Sequence, residues 1–200
     1  MKRIILAGLL GGIAMFIWSS IAHIALPLGE VGVKQIPNET AVLSSMNSTL
    51  GTASGFYIYP GTGAGPDASR AEKQAAMRDY GKKLAANPSG ILIYHPPGQS
   101  ALTARQLGTE FLTEFIEALL AAILLAQTRL GSFSSRMGFI AVLGLAAAVT
   151  TNVPYWNWYG FPTNYTIAYM GMEFVGYLAA GLVIASLVKQ AGSKTMAARA

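Results

Sequence analysis

The chain has 200 residues, of which 52% are hydrophobic and only 12% are charged. Soluble domains carry about 25% charged residues, so this composition excludes an ordinary soluble domain and indicates a membrane protein. There is no cysteine, which excludes disulfides, thiol catalysis and thiolate metal sites. The net charge of +5 implies no nucleic acid partner, because half of the basic residues flank apolar stretches, as is usual in membrane proteins.

Four segments are long and apolar enough to cross a bilayer, which requires roughly 20 residues each. We predict spans at about 4–26, 109–127, 137–153 and 165–188, the third being short. The basic start of the chain also resembles a signal peptide, but the long apolar run favours an uncleaved anchor. The predicted divisions are a first membrane helix (1–27), an extracytoplasmic segment (28–108), three further membrane helices (109–188) and a basic tail (189–200).

The distribution of Lys and Arg predicts the orientation in the membrane. Basic residues without an acidic neighbour flank the cytoplasmic ends of the predicted spans: Lys2, Arg3, Arg129, Arg136, Lys189, Lys194 and Arg199. Cytoplasmic segments carry such an excess of positive charge. We therefore expect both termini in the cytoplasm, with 28–108 and 154–164 outside. The localisation that fits is a prokaryotic cytoplasmic (inner) membrane.

The extracytoplasmic segment predicts a small α/β insertion between the first and second spans. A short helix near 38–49 follows Asn38, a candidate N-cap. Aromatic and β-branched runs at 55–60 and 91–94 predict two strands, and a charged helix at about 68–86 lies between them, with Asp67 as its predicted cap. We expect Ser100 to cap the helix that becomes the second span. The fold class is thus an all-α membrane protein, a four-helix transmembrane bundle with a β-α-β insertion.

The second span carries three glutamates on one helical face. Glu110, Glu114 and Glu117 are spaced i, i+4 and i+7, which places them within roughly 60° of arc. Ionisable groups inside a membrane are costly and usually functional. The alternative is that this helix projects from the membrane, leaving Glu110 and Glu114 among the lipid head groups.

The first and fourth spans contribute further polar residues at a similar depth. Glu173 lies about 13 Å from the outer end of the fourth span, and Tyr169 shares its face. We expect Glu173 to face the bundle interior, bonded to the first or second span or to Tyr169, because a lipid-facing charge is costly. His23 lies one turn before Pro27 and is either part of this site or a hydrogen-bonded interfacial residue.

An aromatic stretch between the third and fourth spans is predicted to be an outer loop. It contains Tyr155, Trp156, Trp158 and Tyr159. Such residues form an interfacial belt in many membrane proteins. The alternative is a lid over a pocket between the helices, or a surface that binds a partner.

Several carboxylates and one imidazole close together cannot all ionise in a low dielectric. Protons or a cation must therefore neutralise some of them. Histidine and glutamate are ligands for divalent metals, but the Glu-x-x-His and His-Glu-x-x-His signatures are absent from the sequence. The cofactor therefore stays unknown, with a divalent metal as one candidate.

Two main functions are compatible with this pattern. The absence of a catalytic motif and the marginal two-stranded element favour a non-catalytic accessory or scaffold subunit, embedded in the lipid bilayer, that binds a protein partner or forms a homo-oligomer. A detergent extract containing only free monomer would contradict that role. The alternative is a transporter or enzyme with an embedded cation, proton or small-molecule site. A ligand-sensing outer segment is a third reading.

Overall fold

The computed structural model describes residues 1–188 and is mostly helical. Within that range it contains six α-helices and a sheet of two strands. The helices are α1 (Lys2–Ser20), α2 (Glu39–Leu50), α3 (Arg70–Ala86), α4 (Ala104–Ala126), α5 (Phe133–Tyr159) and α6 (Thr163–Leu187), and the strands are β1 (Gly55–Tyr59) and β2 (Gly90–Tyr94). The predicted basic tail, 189–200, lies outside the described residues.

Three of the described helices are long and apolar enough to cross a membrane, and they indicate a membrane protein. The first is α1 together with a π-helical turn, Ile21–Ala25, and the others are α5 and α6. The second predicted span coincides with α4, a helix of 23 residues. Its three glutamates set α4 apart from an ordinary apolar span, because charged residues are rare in such segments.

Helix α5 is longer than the predicted third span, 137–153. Helix α5 begins earlier, because the Ser132 hydroxyl caps it by accepting from the Ser135 backbone N–H at 3.0 Å. It also continues past Pro154 to Tyr159. A proline removes one helical hydrogen bond, but membrane helices tolerate that loss where neighbouring groups compensate. The predicted outer loop is therefore helical except at 160–162.

The chain divides into two compact units, a helical unit of 1–33 with 102 onward and a small unit of Lys34–Ala101. In the helical unit, α1 packs against α4 and α6, and α5 packs against α6. Small residues on α1 permit its closest approach to α4. A Cβ at Gly12 would lie 2.7 Å from the Phe115 Cα, and one at Gly8 would lie 2.8 Å from the Leu119 Cα. Gly8 and Gly12 have the small-xxx-small spacing that lets helix backbones approach closely.

One end of the helical unit is held together by a buried arginine. Arg136 is only 7% exposed. Its Nε donates to the Ala185 carbonyl at 2.8 Å, and one terminal nitrogen donates to the Gly131 carbonyl at 2.8 Å. Arg136 therefore joins the start of α5 to the end of α6, rather than lying in a connecting loop as predicted.

In the small unit, β1 pairs with β2 in antiparallel register, with Tyr57 opposite Leu92. Helix α3 is the connection between them. The predicted cap Asp67 was wrong: Ser69 accepts from the Glu72 backbone N–H, and the Glu72 carboxylate accepts from the Ser69 N–H at 2.7 Å. This reciprocal capping box satisfies two helix-terminal donors.

The same motif starts α4. Thr103 caps it together with Gln106, three residues later than the predicted cap Ser100. A Ser or Thr followed three residues later by Glu or Gln is the sequence signature of this box. Both predicted helix starts were therefore close but assigned to the wrong residue.

Candidate functional site

The helical unit contains an open cavity of about 460 Å³. Four helical segments contribute to its lining: α1 with its π-helical turn, α4, α5 and α6. The lining includes all six side chains that the sequence singled out as a ligand or proton site: His23, Glu110, Glu114, Glu117, Tyr169 and Glu173. The structure thus brings together residues up to 150 positions apart in the chain.

Glu114 is the most deeply buried of the four carboxylates. It is only 7% exposed, and its Oε2 is buried without a hydrogen-bond partner among the described residues. The Ser19 hydroxyl of α1 lies close to the same carboxyl group. Close packing of α1 against α4 at Gly12 places the two helices in reach of each other. Glu114 Oε2 is therefore a buried acceptor without a partner among the described residues.

Glu173 faces the protein interior as predicted, but its predicted partners were wrong. Its carboxylate accepts from the Asn152 side-chain amide at 3.0 Å and from the Thr151 hydroxyl at 3.5 Å. Both donors belong to α5, not to the first or second span, and neither is Tyr169. The sequence did not reveal them because the predicted third span ended at about this point, which left both residues at the edge of a loop.

Glu117 lies between α4 and α6, where its carboxylate is close to the Tyr177 hydroxyl. Tyr177 also packs on α5 at Gly144, where a Cβ would come within 2.5 Å of the tyrosine Cβ. Glu110 is the exposed member of the glutamate stripe. The four carboxylates therefore differ: Glu117 and Glu173 have side-chain partners, Glu110 is exposed, and Glu114 is buried with one unbonded oxygen.

His23 lies in the π-helical turn after α1. Its Nδ1 is 2.9 Å from the Ser19 carbonyl oxygen. Because a carbonyl only accepts, Nδ1 carries the proton and Nε2 is the acceptor in the neutral ring. The His23 and Tyr169 rings are in edge-to-face contact, with their centroids 6.1 Å apart. The Tyr169 and Tyr165 rings are stacked, with their centroids 4.2 Å apart. Aromatic rings therefore adjoin the histidine side of the cavity.

Sequence reasoning missed Trp18 as part of this lining. Its indole N–H donates to the Met172 carbonyl at 2.8 Å, which fixes the ring between α1 and α6. The signal was present, because Met15, Trp18 and Ser19 share a helical face with His23 at spacings of i, i+3, i+4 and i+8. The run of apolar residues around Trp18 concealed it.

The aromatic residues once expected to form a loop occupy the last two turns of α5. Tyr155, Trp156, Trp158 and Tyr159 are all exposed, and none of them lines the cavity. The Trp156 indole donates to the Thr163 hydroxyl at 3.1 Å, which ties the end of α5 to the start of α6. The interfacial belt, the lid and the partner surface all stay predictions.

The described residues contain no group of three or more His, Asp or Glu side chains close enough to hold a metal ion. The carboxylates line a common cavity but stand apart within it. A zinc site usually takes three or four protein ligands. The divalent metal raised from the sequence stays a prediction.

No protein-family model matches the chain, and the searches of curated proteins and of solved structures found no match either. Function must therefore be argued from the chemistry of the site, because architecture alone does not specify an activity.

Proposed function

We propose that this protein spans the membrane four times, with α1, α4, α5 and α6 as the spans and both termini in the cytoplasm. The packing of α4 on α1 supports its inclusion. Its glutamate face turns inward at Glu114, while Leu112, Ile116 and Leu120 on the opposite face are exposed, as lipid-facing residues are. The orientation rests on the positive-inside pattern.

We further propose that the bundle is a transporter-type protein with an embedded site for protons and cations. The observation that carries this proposal is that His23, in the turn after α1, and four glutamates of α4 and α6 border one cavity. In its lining, as far as the structure describes it, no Lys or Arg accompanies the four glutamates. Buried carboxylates without a basic partner require a proton or a cationic ligand, because an isolated charge in a low dielectric is costly.

The role as an accessory or scaffold subunit is a second candidate, and the small unit supports it. Ile58 and Ile93 on its sheet are 54% and 63% exposed. Two-stranded sheets are marginal by themselves and leave edges that can pair with another chain. This role is compatible with an embedded site, because a subunit of a larger transporter could have both.

A carbodiimide that partitions into membranes tests the embedded site, since it modifies protonated carboxyl groups in apolar surroundings. In the purified protein in lipid nanodiscs, we expect the peptide containing Glu114 to be modified at least tenfold faster than the peptide containing Glu39, an exposed glutamate of α2. Mass spectrometry of proteolytic peptides measures both rates.

Glu114→Gln should remove most of this fast modification, because it deletes the ionisable group and keeps the shape. Glu39→Gln, the matched control, should leave it unchanged. Equal modification rates at the two glutamates of the wild-type protein would contradict the embedded site, and that result does not depend on how the variants fold.

A further inference from the structure

We propose that one face of the two-stranded sheet lies against the surface of the protein's own membrane, where it contacts phospholipids. This apolar sheet face is formed by Phe56 and Ile58 of β1 and by Ile91 and Ile93 of β2. The contact is separate from the cavity in the helical unit and does not depend on the embedded site. Four properties of the small unit support it: the register of its sheet, the exposure of one face, its distribution of charge and its short connection to α1.

The register of the sheet separates two unlike faces. Phe56 pairs with Ile93, and Ile58 pairs with Ile91. Paired residues share a face, and successive residues of a strand point to opposite faces. The apolar sheet face therefore contains only large apolar side chains. Tyr94, the one buried residue of this fully described unit, lies on the opposite face.

The apolar sheet face is open and small. Phe56 and Ile58 are both 54% exposed, and Ile93 is 63% exposed. At about 200 Å² for a large side chain, these three offer roughly 350 Å². A stable protein–protein interface takes about 800 Å² from each partner, so this face alone is too small for a stable dimer. A contact with the membrane that anchors the same chain needs less area, because it loses less translational freedom.

The distribution of charge fits a lipid surface. The ranges 40–66 and 84–101 include both strands and contain no Asp, Glu, Lys or Arg. No charge of the strands or their flanking turns therefore opposes contact with the boundary between head groups and acyl chains. Most charges of the unit lie on α3, which has five basic and two acidic residues. Anionic phospholipids attract such a positive surplus.

The chain itself keeps the small unit close to the membrane. The first candidate span ends at Ala25, and the small unit begins nine residues later at Lys34. Even fully extended, nine residues reach only about 30 Å. The unit ends at Ala101, shortly before α4 begins at Ala104. Lipid is therefore present at a high effective concentration, whereas a soluble partner must be captured from solution.

The experiment measures which face of the sheet contacts lipid. Because the chain has no cysteine, one introduced cysteine can be labelled uniquely with an environment-sensitive fluorophore. Ile58→Cys and Tyr59→Cys are a matched pair. The two residues are neighbours in β1, are 54% and 45% exposed, and point to opposite faces. The labelled full-length protein is placed in nanodiscs of phosphatidylcholine and phosphatidylglycerol.

Two quenchers are then compared, a phospholipid with a nitroxide on its acyl chain and iodide in the water. We expect the nitroxide lipid to quench the label at position 58 at least twofold more strongly than the label at position 59, because apolar side chains that bind a membrane surface reach the acyl boundary. Iodide should quench the two labels in the opposite order. Both positions are exposed in the native protein, so neither substitution removes a core residue.

A second substitution tests the rest of the apolar sheet face. Ile93→Glu, made in the protein labelled at position 58, places a charge on the same face and should weaken quenching by the nitroxide lipid at least twofold. Leu43→Glu on α2 is the matched control, because Leu43 is 53% exposed, and it should leave the quenching unchanged. Nanodiscs without phosphatidylglycerol should also give weaker quenching. Equal quenching with and without that lipid would overturn the contribution of α3.

The remaining outcomes distinguish lipid from other occupants. Equal lipid quenching at positions 58 and 59 would overturn the proposal. Quenching of position 58 by iodide and not by lipid would show that the face lies in water. A label at position 58 that neither quencher reaches would show that protein covers the face, and dependence on protein concentration would then identify a second copy. Each of these results overturns the lipid contact. The reaction of Glu114 with carbodiimide tests the embedded site independently of all of them.

Discussion

The helical unit and the small unit are stabilised by different kinds of interaction. The helical unit has a continuous buried core, made largely of small and aliphatic side chains such as Ala118, Ala122, Ile140 and Ile184. In the small unit, all of which the structure describes, Tyr94 is the one buried residue. The helical unit therefore depends on close helix approach, whereas the small unit depends on local hydrogen bonds and caps. Three substitutions test this difference.

The largest effect is expected where α1 and α4 approach most closely. Gly12→Ala would place a Cβ 2.7 Å from the Phe115 Cα and 2.9 Å from its backbone nitrogen. Backbone cannot rotate away as a side chain can, so the helices must separate. We expect a loss of about 1–3 kcal/mol in the free energy of unfolding, as overpacked cores show, measured by thermal unfolding in detergent.

The matched control is Gly138→Ala on α5, where an added Cβ meets nothing within 4 Å. Alanine has a higher helix propensity than glycine by up to about 1 kcal/mol, so this variant should be neutral or slightly stabilising. If both variants unfold at the same temperature, close packing does not determine the stability of the helical unit.

A smaller effect is expected at Tyr94, whose hydroxyl donates to the Gly51 carbonyl at 2.9 Å. Tyr94→Phe leaves that carbonyl without its partner and should cost about 1 kcal/mol. The loss should be confined to the small unit. Hydrogen exchange followed by mass spectrometry should show faster exchange in β1 and β2 and unchanged exchange in α5 and α6.

Tyr57 supplies the comparison for this variant. Its hydroxyl donates to the Ala53 carbonyl at the same distance of 2.9 Å, but that bond is exposed. Water can replace an exposed bond at little cost, so Tyr57→Phe should have a weaker effect than Tyr94→Phe. Faster exchange throughout the helical unit in Tyr94→Phe would show that the two units are not independent.

The smallest effect is expected at the start of α3. Hydrogen bonds from the Ser69 hydroxyl and the Ser69 backbone N–H hold the pKa of the Glu72 carboxyl below its ordinary value of 4.5. A lowered pKa means that ionised Glu72 stabilises the helix at neutral pH. This contribution is lost as the pH falls through the lowered pKa. The amides of 70–86 should therefore be less protected in acid. Their exchange rate, divided by the intrinsic chemical rate at the same pH, should increase as the pH falls.

Ser69→Ala should speed exchange in 70–86 at neutral pH and weaken this acid dependence, because it deletes the side-chain half of the capping box and keeps the backbone N–H bond to Glu72. The control is Ser89→Ala, which lies between the end of α3 and the start of β2. It should retain the wild-type dependence of exchange on pH. An unchanged acid dependence in Ser69→Ala would show that the capping box does not link Glu72 to the stability of α3.

Much of the fold was predictable because local residue patterns specify its helices and strands. Apolar runs predicted the α1, α5 and α6 segments, and aromatic and β-branched runs predicted both strands within one residue. The errors arose where two local signals compete. The predicted third span stopped at 153, whereas α5 continues through Pro154 to Tyr159. Asp67 and Ser69 are both candidate caps, and the structure shows that the capping box is made by Ser69 with Glu72.

For the candidate site, the sequence by itself determined which residues share a face of one helix, because helical periodicity is a property of a single segment. It therefore placed Glu110, Glu114 and Glu117 together, and Tyr169 near Glu173. The rotation of each helix about its axis is a different matter. Steric fit between neighbours determines it, as at Gly12 and Gly144, and no single segment carries that information.

Only the tertiary structure decided that the glutamates of α4 and α6 border one cavity, that Glu173 bonds to Asn152, and that one oxygen of Glu114 is left without a partner. Each of these facts depends on contacts between helices far apart in the chain. A buried acceptor is recognisable as unpaired only when every neighbouring donor has been placed, and placing them requires the packed bundle.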